Sequence, residues 1–238
     1  MPTSRASIAE FVGTFALMFV GGGAIIVTAG ENLVAIALAH GLILAVMITA
    51  TMHISGGQLN PAVSVALGLI GKQPWPRAAA FVAAQLAGAT AAALLLKVLL
   101  SATYDVGNLG ATLGSLTMAD SGTVGPGRAV GLEVIATFFL MFVIMGCAVD
   151  ERGVGAVKVT SGFAIGLTLA AAILFIGPLT GASLNPARSF GPALIAGAWD
   201  FQWVYWVGPI TGAGLAVVVY TVSFRTRSPG PAGDPSPS

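Results

Sequence analysis

An all-α membrane protein of six transmembrane helices and two re-entrant half-helices, arranged as an inverted repeat, is the fold this sequence predicts, on three observations. Of 238 residues, 56% are hydrophobic and only 8% charged, and the mean hydropathy of +0.91 lies far outside the balance of a soluble domain. The apolar residues fall into six stretches of about 17–25 residues, the length a helix needs to cross a hydrocarbon layer of roughly 30 Å. Two shorter apolar pieces remain, and each begins at a copy of the triplet Asn-Pro-Ala, at 60–62 and 185–187.

The first span, about Ser7–Thr28, has only Arg5 ahead of it and no clear small-residue cleavage site, so it reads as a retained helix. The second, Leu33–Met52, carries His40 within LAHGL. A half-helix follows over Pro61–Gly71, led in by HISGGQL, with His53 at its head as a structural or gate-lining residue. The third span, Arg77–Leu100, places Gly88 among Ala84 and Ala92, small residues that permit a close helix crossing. The fourth, Arg128–Val149, holds Glu133 and the single cysteine, Cys147, which reads as packing and excludes an intrachain disulfide or a multi-cysteine metal site. The fifth span covers Val157–Ile176; the second half-helix, Pro186–Gly197, is led in by LTGASL. Phe201–Phe224 forms the last span, with Gly208 and Gly212 as its small residues. The tail, 228–238, is rich in Pro, Gly and Ser and is expected to be disordered.

The chain repeats itself. EFVGTFALMFV at 10–20 matches EVIATFFLMFV at 133–143 at an offset of 123, and the triplets recur at an offset of 125. Gly41-Leu42 returns as Gly166-Leu167, and Gly88 as Gly212, so residues 1–124 and 125–227 read as two repeats. Three spans per repeat is an odd number, so the second repeat enters the membrane from the opposite side. Each half-helix, at 1.5 Å per residue, covers about half the bilayer, and the two N-termini are expected to meet near the midplane. Non-helical backbone at that depth is tolerable only where it is buried in protein or lines a wet cavity, which points to a pore.

The triplet has a chemistry suited to that place. Asn60 and Asn185 occupy N-cap positions, while Pro61 and Pro186 sit at the first helical position with Ala62 and Ala187 behind them. Capping uses the side-chain oxygen and leaves each amide NH2 free to face the lumen as a donor. Two helix N-termini place partial positive charge at the centre, which disfavours cations, hydronium included. A water accepting from both amides must point its hydrogens away in both directions, which interrupts a proton-conducting chain.

Charge sets orientation and removes other classes. Arg5, Lys72, Arg77, Arg152, Lys158, Arg225 and Arg227 fall on one side, against Glu31, Asp105, Asp120, Asp200 and Arg128 on the other, so both termini are expected to be cytoplasmic. A net charge of +1 gives no case for nucleic acid. Two histidines and one cysteine supply no cluster for catalysis or a metal, so neither an enzyme nor a cofactor is expected.

SGGQLNPAVS, GASLNPARS, the repeated glutamates and the layout of six spans with two half-helices together resemble the aquaporins, or major intrinsic proteins, from Ser7 to about Phe224. The resemblance implies a homotetramer with one pore per subunit in a lipid bilayer, passing water or small uncharged solutes passively in both directions. It implies an acceptor ladder from the carbonyls of Gly56, Gly57, Gln58, Leu59, Gly181, Ala182, Ser183 and Leu184. Arg188, one turn into the outer half-helix, would stand at the outer constriction, held by carbonyls of external loops, where it repels cations and donates to solute. By motif spacing the other walls are His40, Ile173 and Ala182. This quartet departs from the strict water-channel pattern, with its phenylalanine and histidine, and from the glycerol pattern, with its tryptophan and glycine. It looks most like the plant vacuolar-membrane (tonoplast) subgroup, which implies ammonia, urea or glycerol in addition to water. Ile173 removes a polar donor and Ala182 removes bulk, which points to a wider filter.

Glu10 and Glu133 hold equivalent places in the two repeats and are expected to accept hydrogen bonds from the backbone of the re-entrant loops. The alternatives to a channel of broad range are a strictly water-selective one and a proton-coupled transporter using Glu10 or Glu133. The membrane expected is the cell membrane, plasma or inner.

Overall fold

A computed structural model describes residues 1–113, 117–118, 122–152 and 157–224; the tail 228–238, Asp120, Arg225 and Arg227, and the side chain of Lys158, lie outside the described set. Among the described residues, eight α-helices run in the order α1 Thr3–Val27, α2 Leu33–Thr51, α3 Pro61–Leu69, α4 Trp75–Leu100, α5 Pro126–Ile144, α6 Val157–Thr180, α7 Pro186–Ala196 and α8 Val204–Phe224. A π-helical turn, Met145–Val149, extends α5, and a two-residue antiparallel pair, β1 Thr117–Met118 with β2 Gly122–Thr123, lies between α4 and α5. Six helices, all but α3 and α7, are long and apolar enough to cross a bilayer. With 9 and 11 residues, α3 and α7 reach only about half that depth. The chain is an integral, multi-pass membrane protein.

Helix ends differ from the sequence expectation in ways the backbone explains. The half-helices stop at Leu69 and Ala196 because Gly71 (φ +69°) and Gly197 (φ +73°) turn left-handed, which ends an α-helix without a Cβ clash. Phe201 is itself left-handed (φ +52°), so the last span starts at Val204. The fifth span continues past Ile176 to Thr180 with Pro178 inside it. Pro74 and Gly125 act as N-caps, which starts α4 and α5 ahead of Arg77 and Arg128.

The packing repeats with the sequence. Helix α1 lies along α4 as α5 lies along α8, and α2 crosses α6 between them. A Cβ on Gly88 would run into the Phe11 carbonyl, and one on its counterpart Gly212 into that of Val134, residues equivalent in the two repeats. At the α2–α6 crossing a Cβ on Gly41 would lie 2.6 Å from the carbonyl oxygen of Gly166, and one on Gly166 would meet that of Gly41 in turn. The half-helices interlock the two halves: α3 packs chiefly on α8 and α7 chiefly on α4. Outward faces carry large apolar side chains, Val98, Phe175 and Val222 among them, as lipid contact requires, while the buried polar groups gather on the inside.

Candidate functional site

Each re-entrant loop hangs from one glutamate. Glu10, fully buried on α1, accepts from Ser55 Oγ (2.5 Å), Gln58 N (3.0 Å), Leu59 N (2.6 Å) and Gln85 Nε2 (2.7 Å). Glu133, equally buried on α5, accepts from Thr180 Oγ1 (2.9 Å), Ser183 N (2.9 Å) and Leu184 N (2.8 Å). These bonds hold backbone that is otherwise unfavourable: Leu59 (φ +51°), Ala182 (φ +45°) and Leu184 (φ +53°) are left-handed without being glycine, at a cost of about 1–2 kcal/mol each. In a trans peptide the N–H and the preceding carbonyl point oppositely. Directing the N–H groups of Gln58, Leu59, Ser183 and Leu184 at the glutamates therefore turns the carbonyls of Gly57, Gln58, Ala182 and Ser183 away from them, and Gly56 (φ +97°) and Gly181 (φ +85°) begin the two turns.

The loops deliver the two triplets to each other. Asn60 caps α3, its Oδ1 accepting from Ala62 N (2.9 Å), and Asn185 caps α7, accepting from Ala187 N (3.0 Å) and Arg188 N (3.3 Å). Pro61 and Pro186 open the helices, and Ala62 and Ala187 are fully buried where small side chains are needed. The amide nitrogens are crossed: Asn60 Nδ2 donates to the carbonyl of Leu184 and Asn185 Nδ2 to that of Leu59, both at 2.8 Å. This corrects the sequence reading of a free NH2, because one hydrogen of each amide is held by the opposite loop and one remains. The Leu59 and Leu184 carbonyls of the expected ladder each accept one of these bonds and keep one lone pair.

Between the triplets lies a narrow cavity of about 20 Å³, room for one water-sized molecule at a time. Leu17, Leu44, Ile48, Leu140, Ile165 and Leu169 form its apolar wall; Asn60, Asn185, Gln58, Ser183, His40 and Arg188 form its polar one. An outer chamber of about 450 Å³ shares His40 and Arg188 with it on one side, and an inner one of about 700 Å³ shares Gln58 with it on the other. His53 and Lys72 border the inner chamber.

Three of the four filter candidates border the outer chamber: His40, Ile173 and Arg188. Ala182 is only 1% exposed, and its neighbour Gly181 borders the chamber. Arg188 donates from Nη1 to the carbonyl of Gly110 (2.7 Å), while its buried Nε has no partner among the described residues. The His40 Nδ1 lies 2.9 Å from the carbonyl of Ile36, which can only accept. The neutral ring therefore carries its proton on Nδ1, and the buried, unpartnered Nε2 presents a lone pair. His40, Ile173 and Arg188 thus line the outer chamber, while the unpartnered His40 Nε2 and Arg188 Nε are themselves buried, the former against Gly21 of α1, where a Cβ would lie 2.4 Å from it.

Two hydrogen-bond clusters escaped the sequence reading. Ser64, on α3, bridges Gln58 and Gln85; its counterpart Ser189, on α7, joins Ser183 (2.5 Å) and Thr112 (2.7 Å). The signal was in the text, since a serine follows each Asn by four residues in NPAVS and NPARS.

Comparison with known proteins gives concordant matches. The family described as Major intrinsic protein matches residues 1–220. The chain is 44% identical to aquaporin TIP4-4 of Zea mays over 94% of its own length and 88% of that protein's, and 38% identical to aquaporin NIP1-1 of Zea mays over 96% and 78%. The solved structure of the aquaglyceroporin from Plasmodium falciparum superposes with a TM-score of 0.78 at 28% identity, covering 92% of this chain and 96% of the other.

Proposed function

The chain belongs to the major intrinsic protein family, and on that premise we propose that it is a passive transmembrane channel for water and for small neutral solutes, ammonia, urea and glycerol, that excludes protons and ions. The observation that carries the proposal is the narrow cavity at the crossed Asn60 and Asn185 amides, flanked by two larger chambers that share its lining residues.

Water enters from the outer chamber past His40, Ile173 and Arg188, which line it, with Arg188 as donor and Ile173 leaving one side apolar. The fixed guanidinium repels cations. At the midplane a water accepts the remaining N–H of each asparagine beside two helix N-termini, so its hydrogens point outward and cations find no stable place. Carbonyls turned away from the glutamates, those of Gly57 and Gln58 inside and Ala182 and Ser183 outside, supply successive acceptors. With four donors on its four lone-pair sites, Glu10 works as an anchor and has none left for a proton in transit. The apolar wall at Ile173 and the likeness to an aquaglyceroporin favour the wider solute range over strict water selectivity.

Arg5, Lys72, Arg77 and Arg152 at one end, against Glu31, Asp105, Asp200 and the single basic Arg128 in the loops at the other, support cytoplasmic termini, and the channel is assigned to the cell membrane. It works as a homotetramer, for which the apolar groove of Leu132, Phe139, Leu167 and Phe175 between α5 and α6 offers a contact face.

Stopped-flow light scattering on proteoliposomes under water, glycerol, urea and ammonia gradients tests the proposal. Acceleration over empty vesicles is expected, and its absence for every solute overturns the channel. Combining His40→Phe with Ile173→His is expected to lower glycerol and urea flux relative to water; an unchanged ratio removes these residues as the filter.

A further inference from the structure

We infer that Gln73, in the short connection between α3 and α4, is a positioning residue that holds the Gln58 carboxamide against the wall of the conduit where the midplane cavity meets the inner chamber. The inference rests on the channel reading.

Gln58 borders both spaces, so its side chain stands at the inner neck as His40 and Arg188 stand at the outer one. The two glutamines, each only 9% exposed, face each other through two hydrogen bonds: Gln58 Nε2 to Gln73 Oε1 (2.9 Å) and Gln73 Nε2 to Gln58 Oε1 (3.2 Å). The orientation of both amides is fixed by their neighbours. Gln73 Nε2 also donates to the backbone carbonyl of Ser64 (2.8 Å), which can only accept, so Gln73 Oε1 must face Gln58 Nε2. Gln58 Oε1 then accepts from Ser64 Oγ (2.7 Å), which in turn accepts from Gln85 Nε2 (3.0 Å), the same nitrogen that donates to Glu10 (2.7 Å). Every link has one direction, and the chain ends on a carboxylate.

Gln73 is delivered to this place by backbone geometry. Lys72 N bonds the Leu67 carbonyl (2.9 Å) and Gly71 N that of Gly68 (3.1 Å), a Schellman closure that folds the chain back beneath α3. Pro74 then caps α4, which leaves the residue between little freedom. So held, Gln58 keeps its oxygen saturated and offers the permeant at most one N–H. Released, a carboxamide able to donate and accept would turn to the water in a cavity with room for one molecule, and obstruct it.

The test is single-channel water permeability, from stopped-flow scattering with counted protein in proteoliposomes, for wild type, Gln73→Met, Gln58→Ala and the double variant. Gln73→Met keeps the length and removes all three hydrogen bonds of the Gln73 amide, two with Gln58 and one to the Ser64 carbonyl; it is expected to slow water by roughly two- to tenfold, the effect of about one net neutral hydrogen bond between the released Gln58 amide and the permeant. Adding Gln58→Ala to it is expected to restore the rate, because the side chain that obstructs is gone. A merely structural role gives no such rescue. Gln73→Met conducting like wild type, or a double variant as slow as the single, overturns the inference while leaving the channel intact; wild type failing to conduct overturns the channel reading itself. Should Gln73→Met not be recovered as a monodisperse protein, Gln73→Ala, which removes the same bonds with a smaller side chain, decides with and without Gln58→Ala by the same comparison.

Discussion

Replacing Glu10 by glutamine keeps the shape of the side chain and changes only what its atoms can do. An amide has one acceptor oxygen and one NH2. With the oxygen in the Oε2 place, Leu59 N and Gln85 Nε2 are kept and Gln58 N faces a donor; in the other orientation Leu59 N and Gln85 Nε2 face a donor. The better orientation therefore leaves one buried backbone N–H unsatisfied, at about 1–3 kcal/mol. The two bonds kept lose their charge assistance, falling from about 1.5–3 to about 1 kcal/mol each. The sum is about 2–7 kcal/mol, which at about 2–4 °C per kcal/mol for a chain of this size is roughly 4–28 °C in melting temperature. Heating the detergent-solubilised protein and following the folded peak by gel filtration measures it. A Glu10→Gln variant melting within about 2 °C of wild type would show that the carboxylate does not anchor the loop. If that variant also gained or lost uptake driven by a pH gradient, the proton-coupled reading would stand in its place.

Gly41→Ala puts a methyl 2.6 Å from the Gly166 carbonyl and 2.7 Å from Ala170 Cβ, so α2 and α6 must part; a loss of about 1–3 kcal/mol is expected, read as a lower melting temperature. Gly23→Ala meets only Leu96 Cδ2 at 3.4 Å and gains helix propensity, so it is expected to melt at or above wild type, and a fall comparable to that of Gly41→Ala would refute the packing argument. Asn60→Asp keeps the cap on Ala62 but sets an oxygen against the Leu184 carbonyl in place of a donor; water permeability and melting temperature should both drop, and unchanged values would deny the crossed amides any role. Beyond the fourth span, hydrogen bonds from the Arg152 side chain and backbone, with one from Tyr220, hold the Asp150 carboxyl below the usual carboxylate range, and Arg152 reaches on to the Phe224 carbonyl. A depressed value stabilises the fold above the ordinary carboxylate range and ceases to as pH falls through the folded value. The melting difference between wild type and Asp150→Asn should therefore hold at neutral pH and close in acid; a difference that grows in acid would reverse the sign.

The span count was legible because a bilayer asks for one simple thing, a long apolar helix, and composition answers it directly. The half-helices were legible because Asn-Pro is both a cap and a first-turn residue, and because the triplet recurred at the offset of the flanking helices. Their ends were read long by one or two residues, since Gly71 and Gly197 count as apolar text but turn left-handed. The partners of the glutamates could be named only as loop backbone; that Glu10 also takes Gln85, from a span 75 residues on, follows from how α1 lies along α4. Nothing local marks Gln73 as buried beside Gln58, because the sequence shows a polar residue between Lys72 and Pro74, in a stretch that reads as an exposed loop.

By itself, then, the sequence determined the membrane class, the inverted repeat and the residues that begin each half-helix, all of which depend on local composition or on identity between segments. Only the tertiary structure decided that each asparagine donates to the other loop's leucine carbonyl, that Arg188 is tied to Gly110, and that the His40 Nδ1 bonds the Ile36 carbonyl while its Nε2 lies buried against Gly21. Those facts depend on which donors and acceptors of distant segments end within 3 Å of one another, and α3 packing on α8 while α7 packs on α4 is what sets those distances.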